Sequence, residues 1–212
     1  MTIFISPSVN IRNMKKLSEN IDAVNKRMSA IEAKRESALA MSRIIIRKTK
    51  NMIHAIHTDE EFMSIQGELK ALIRDMITKL KDEPSVLYSA AVEDACMEYS
   101  EALILSSIVR KKDIPSFTTL KISPQSWMMG LADVIGELRR LVLTALMNGD
   151  MDKATYYFES MEEVGNEVMG FDIPDAIVPI RRKQDVARGV LERTRSDMAN
   201  AKIMSSLERL KE

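Results

Sequence analysis

One cysteine, two histidines, one tryptophan and 5% aromatic residues are all that this chain of 212 residues offers in those classes. The single Cys96 excludes an intramolecular disulfide framework and any cysteine-based zinc site, and it fits a reducing cytoplasm. The histidines, His54 and His57, lie three residues apart. That excludes a di-iron bundle built from two Glu-x-x-His helices, and a Ser-His-Asp triad unless one of these two is the base. Seven glycines, 6 prolines and few aromatics argue against a β-sandwich or barrel, which needs many turn residues and many aromatic or β-branched strand residues. No stretch approaches the roughly 18 apolar residues of a membrane span, and the N-terminal MTIFISPSVNIRN has no long apolar run, so neither signal peptide nor membrane anchor is expected. Glycine-rich phosphate loops, zinc spacings and a nucleophile elbow are likewise missing.

What the chain does contain is helix-forming residues in long periodic runs. Between Pro7 and Gly67 there is neither Gly nor Pro. Residues 10–57 read as one long helix. Its second half carries a wide stripe through Leu39, Ser42, Ile45, Ile46, Thr49, Met52, Ile53 and Ile56. Its first half carries a narrower seam through Met14, Leu17, Ile21, Val24, Met28 and Ile31, the kind that meets one partner helix. Thr58 with Glu61 reads as a capping box opening a second helix to about Asp82. Pro84 breaks the chain, and a third helix spans 86–109. Residues 111–123 read as a loop with short extended pieces. Ser123-Pro124 opens a fourth helix to about Met147. Asn148-Gly149-Asp150 is a turn, a fifth helix runs to about Met169, and a two-proline connector leads to a last helix at about 180–210. The expectation is an all-α bundle of six helices, one domain over 1–212.

The net charge is zero, yet it is laid down in blocks. Residues 11–50 carry 11 Lys/Arg against 4 Asp/Glu, and residues 59–101 carry 4 against 11. Residues 133–172 are acidic again, with 3 against 9, and residues 181–212 are basic, with 9 against 5. Folding sorts such blocks either into one basic surface and one acidic cluster, or into interleaved, solvated ion pairs.

Two pairs of carboxylates share helix faces. Glu98 and Glu101 sit three apart among Ala91, Ala95, Ala102 and Leu105, and Asp133 and Glu137 sit four apart beside Gly130 and Gly136. A glycine inside a helix costs about 1 kcal/mol relative to Ala, so these two suggest close approach of another backbone or a ligand. If the third and fourth helices pack together, four carboxylates converge, and they cannot all stay ionised in a desolvated site without cations. Such a set suits Mg²⁺ or Mn²⁺. The same spacing also suits surface ion pairs, for instance Glu137 with Arg140. Arg43, Arg47, Lys50, His54 and His57 fall on one face of the first helix, opposite its apolar stripe. With Arg140 and with Arg181, Arg182, Lys183 and Arg188 of the last helix, they offer either phosphate contacts or a solvated face. Trp127 packs at a helix start or stacks on a base, and Cys96 reads as inert core.

These segments together resemble one family. MMGLADVIGELRRLVLTALMNGD (128–150) resembles the translin helix that ends in Asn-Gly-Asp. MEYSEALIL (97–105) is similar to its Glu-x-x-Glu-Ala helix, and FDIPDAIVPIRRKQDVARGVLERTRSD (171–197) looks like the C-terminal part of archaeal members. The first helix, with Ser42-Arg43 and Lys50, matches more loosely, and Arg47 and Lys48 have no counterpart. The family has a nucleic-acid-binding branch, translin itself, and a branch of metal-dependent endoribonucleases, translin-associated factor X or Trax. All four acidic positions are filled here, by Glu98, Glu101, Asp133 and Glu137, which resembles the Trax branch. The resemblance implies a seven-helix subunit, with the further helix in 1–20 or 171–180. It also implies a hollow particle of about eight subunits with a basic interior, an Mg²⁺ or Mn²⁺ site at the four carboxylates, and RNA, or single-stranded DNA, as the bound partner.

Overall fold

The computed structural model describes the backbone of residues 7–209 and the side chains of residues 14–207. Among these residues there are eight helices and no strand. They are α1 (Pro7–His57), α2 (Met63–Leu80), α3 (Pro84–Leu87), α4 (Ala90–Val109), α5 (Phe117–Leu120), α6 (Pro124–Met147), α7 (Met151–Gly170) and α8 (Arg181–Arg209). Among the described residues, no helix is long and apolar enough to cross a membrane.

The two helices beyond the expected six are single turns in places other than those the family resemblance suggested. Pro84 opens α3, whose first amide acceptor is the Glu83 carbonyl, and an extended Ser89 then separates it from α4. The third expected helix, 86–109, is therefore split. The 111–123 loop contains α5 in place of extended pieces, because the Ser116 hydroxyl accepts from the Thr119 amide at 3.1 Å and caps a turn. That turn ends at Lys121, which adopts a left-handed φ of 58°.

Thr58 also does a different job from the expected one. Its hydroxyl donates back to the His54 carbonyl at 3.0 Å, and Glu60 N–H donates to the Ala55 carbonyl at 2.8 Å across Asp59 at φ 58°. This closes the C-terminus of α1. The expected turn at 148–150 is present, with Gly149 at φ 72° and Asp150 accepting from the Lys153 amide at 2.9 Å.

The core follows the apolar stripes. Ile45 and Met52 of α1, Leu69 and Met76 of α2, Ile104 of α4, Leu138 of α6 and Met161 of α7 are all fully enclosed. α6 lies centrally, against α4, α7 and α8, while α1 and α2 cover the other face of α4. Cys96 is buried in this core, as expected, and burial pushes its thiol up to about 12. A thiol so protonated is unreactive.

A carboxylate cluster between four helices

α4 is buried around most of its circumference, which carries Glu101 into the interior and leaves Glu98 half-buried and Asp94 exposed. What brings α6 against them is Gly130. A Cβ there would stand 2.6 Å from the Met97 carbonyl oxygen and 2.9 Å from the Glu101 amide nitrogen. Only a residue without a side chain lets the two backbones approach this closely. The expected close approach therefore exists at Gly130. It does not exist at Gly136, where nothing lies within 4 Å of an added Cβ.

One and two turns beyond Gly130, Asp133 and Glu137 come close to Glu101, and Asp133 also to Glu98. Glu101 is 9% exposed. Burial first, and then the negative charges of Asp133, Glu137 and Glu98, push its carboxyl up to about 8, against a smaller opposing pull from Lys183. Glu101 therefore holds its proton at neutral pH. The Glu98 carboxyl is also raised, by burial and by Asp133 and Asp94, while Lys50 and Lys183 oppose the rise. For Glu137, burial pushes up as well, but hydrogen bonds and charge from His57 and Arg140 outweigh it and hold the group below the usual carboxylate range.

Two basic residues close the cluster that the sequence did not assign to it. Lys183, from the first turn of α8, pairs with Asp133, and its ammonium lies 3.6 Å from the Met97 sulfur. His57, from the last turn of α1, shares a hydrogen bond with Glu137, and its side chain is only 8% exposed. The sequence placed His57 with the basic residues opposite the apolar stripe. Instead it faces α6, whereas His54 is exposed. Arg140 pairs with Glu137 at 2.9 Å, so the ion pair foreseen as an alternative is real, and it engages a residue assigned to phosphate contacts.

Arg43, Arg47 and Lys50 are exposed on α1, and Lys50 is close enough to Glu98 to hold its carboxyl down. Lys48, between them, pairs with Glu68. Trp127 packs at the start of α6 and donates to the Pro115 carbonyl at 2.8 Å.

Among the described residues, no three histidine, cysteine or acidic side chains stand in a ready-made metal-ligand arrangement. The donor set nevertheless fits a hard divalent cation. Four carboxylates supply only oxygen ligands, and the ion pairs take Asp133 and Glu137 but, among the described residues, leave Glu98 and Glu101 without one. A cation in the cluster would supply the charge that Glu101 now supplies by staying protonated.

Comparison with known proteins identifies the fold. The sequence model of the translin family matches residues 11–195. An uncharacterised protein of Methanocaldococcus jannaschii is 35% identical over 185 residues, covering 83% of this chain and 82% of that protein. The crystal structure of AfC3PO aligns with a TM-score of 0.80 at 32% identity, over 87% of this chain and 98% of that one. The structure of an AfC3PO–duplex RNA complex aligns with a TM-score of 0.81 at 30% identity, over 87% and 97%. The crystal structure of apo-NeC3PO, at 21% identity and a TM-score of 0.75 over 86% and 97%, shares the fold.

Proposed function

The chain belongs to the translin family, and on that premise we propose that it is a Trax-type, metal-dependent endoribonuclease acting on single-stranded or short structured RNA within a hollow oligomer of about eight copies. One observation carries the reading. Glu101 is a buried carboxyl facing three others and is pushed up to about 8, a crowding of negative charge that a bound divalent ion would relieve. The complex of AfC3PO with duplex RNA supports RNA as the ligand class.

Glu98, Glu101, Asp133 and Glu137 would hold Mg²⁺ or Mn²⁺. The ion supplies stabilisation of phosphate charge and lowers the pKa of a water it binds. The chain's own cations do the remaining work. Arg43, Arg47 and Lys50 lie exposed on α1, with Lys50 nearest the cluster beside Glu98, and would neutralise the RNA backbone without reading bases. Lys183 pairs with Asp133 and holds it in place, and His57 with Arg140 holds Glu137 in its ionised form.

A second reading is a non-catalytic oligomer that binds RNA or single-stranded DNA. The observation in its favour is that Lys183 and Arg140 already pair with two of the four carboxylates. End-labelled RNA incubated with Mg²⁺, Mn²⁺ or EDTA, beside Glu137→Ala, separates the two. Cleavage that needs metal and fails in the variant supports the nuclease. RNA retained and uncut in every metal supports the scaffold.

A further inference from the structure

A cavity of about 320 Å³ opens between α2, α4 and the loop that carries α5. It lies on the side of α4 turned away from the carboxylate cluster. Tyr99 and Leu103, which line it from α4, share a face one turn apart. Tyr99 follows Glu98 by one residue and precedes Glu101 by two, so it stands about 100° and about 200° around the helix from them. From α2 the lining residues are Gln66, Lys70, Ile73 and Arg74, again one helical face. The loop contributes Leu120, whose burial pins it to the core, and Lys121 beside it.

Two buried side chains in this cavity have donors to offer and nothing to receive them. Tyr99 is 2% exposed, and among the described residues its hydroxyl has no hydrogen-bond partner. Burial, and then the Cys96 thiol, push its phenol up to about 12, against a pull from the nearby Arg74 guanidinium, so the group stays a neutral donor. Gln66 is buried as well, and its Oε1 accepts from the Ser106 hydroxyl at 2.7 Å. Both N–H groups of its amide are thereby left without an acceptor among the described residues. Buried donors are normally satisfied, so these two call for an acceptor inside the cavity.

The charge says which acceptor. Lys70, Arg74 and Lys121 line the cavity, and among the described residues none of them has an ion pair, whereas Lys79 on the same α2 pairs with Asp75 at 2.7 Å. The lining carries one carboxylate, Asp113, which leaves a surplus of two positive charges. The phosphoryl group of a monoester carries a charge of about −1.5 to −2 at pH 7 and three acceptor oxygens. It matches that surplus, and the guanidinium fork of Arg74 suits two of its oxygens at once. A carboxylate brings a single charge. The cavity is at the small end of ligand sites, which span about 300–1,000 Å³. Ile73, Leu103 and Leu120 give apolar contact to a short organic body. We infer that this cavity binds a small phosphorylated ligand by its phosphoryl dianion, held by Lys70, Arg74 and Lys121 and accepting from Tyr99 and Gln66. The inference is independent of the nuclease reading, since the site lies across α4 from the carboxylates and needs no metal.

Titration calorimetry on the full-length protein, in EDTA and at constant ionic strength, tests this with inorganic phosphate and with glycerol 3-phosphate. Saturable binding of one anion per chain is expected, with a Kd below about 1 mM. Tighter binding of the ester identifies a monoester as the ligand, and equal binding identifies free phosphate. Arg74→Ala and Lys121→Gly are each expected to weaken binding at least about tenfold, and Tyr99→Phe by about threefold to tenfold. Lys121→Gly keeps the test decisive. Lys121 sits at φ 58°, which glycine adopts more readily, so this variant loses the charge and keeps the fold. No saturable binding of either anion by the wild type would overturn the inference. So would undiminished binding by folded Arg74→Ala and Lys121→Gly, or binding seen only with a 5′-phosphorylated RNA.

Discussion

His57 at the end of α1 and Glu137 on α6, 80 residues apart in sequence, share a hydrogen bond inside the carboxylate cluster. That bond ties the long basic helix to the acidic site and, with Arg140, keeps Glu137 ionised despite its burial. Glu101, on the neighbouring α4, has no such partner among the described residues and is pushed the other way. Two carboxylates of one cluster are thus held in opposite states at neutral pH, a separation characteristic of acid–base and metal sites.

Stability without metal is expected to fall as pH rises. Glu101 goes from an ordinary 4.5 in the unfolded chain to about 8 in the folded one. Between those values the folded state binds the extra proton, so unfolding becomes easier with each step up in pH. Glu98 shifts in the same direction and adds to the effect. The loss between pH 5 and 8 should be on the order of a few kcal/mol, or about 5–10 °C in Tm. Thermal melts in EDTA are expected to show this slope in the wild type and a flatter one in Glu101→Gln.

The two glycines of α6 should respond oppositely to alanine. Gly130→Ala drives a Cβ into the Met97 carbonyl and the α4 backbone, which cannot swing aside, and should destabilise by about 2–3 kcal/mol. Gly136→Ala meets open space and gains helix propensity, up to about 1 kcal/mol. Denaturant titration of both variants checks the sign of each.

Lys183 competes with a divalent ion for Asp133. Its replacement by Met should lower the metal-free Tm, because the cluster loses a counter-ion. The same change should tighten Mn²⁺ binding by about tenfold, or about 1.4 kcal/mol. Titration calorimetry with Mn²⁺, beside Asp133→Asn as the variant that weakens binding, measures both directions.

RNA binding should be strongly salt-dependent, with no base preference. Removing one phosphate contact, by Arg47→Ala or Lys50→Ala, should weaken affinity on every RNA sequence and reduce the slope of log K against log salt by about 1. Arg140→Ala should leave the slope nearly unchanged, since that guanidinium is engaged by Glu137. Binding isotherms in EDTA at several salt concentrations measure the three slopes.

The helical architecture was legible because its cues are local. The Gly- and Pro-free run fixes α1, Ser123-Pro124 opens α6, and Gly149-Asp150 turns the chain. The short α3 and α5 were not legible, since single turns of four residues carry no periodicity to read. The four carboxylates were found by their spacing on two helices, and Gly130 told that those helices pack closely. His57 and Lys183 were missed for a different reason. Each comes from a distant element, and only the tertiary packing decides which of many basic residues turns inward. Their one sequence signal was position, at the last turn of α1 and the first turn of α8.

The proposed nuclease activity is tested by Glu101→Gln, assayed for RNA binding in EDTA and for RNA cleavage in Mn²⁺. Gln has the shape and charge of the protonated Glu101 that the metal-free protein already holds at neutral pH. An intact fold and unchanged RNA affinity are expected, with cleavage reduced at least about 100-fold, as loss of several kcal/mol of transition-state stabilisation requires. Full cleavage by Glu101→Gln in Mn²⁺, or cleavage that persists in EDTA, would contradict it.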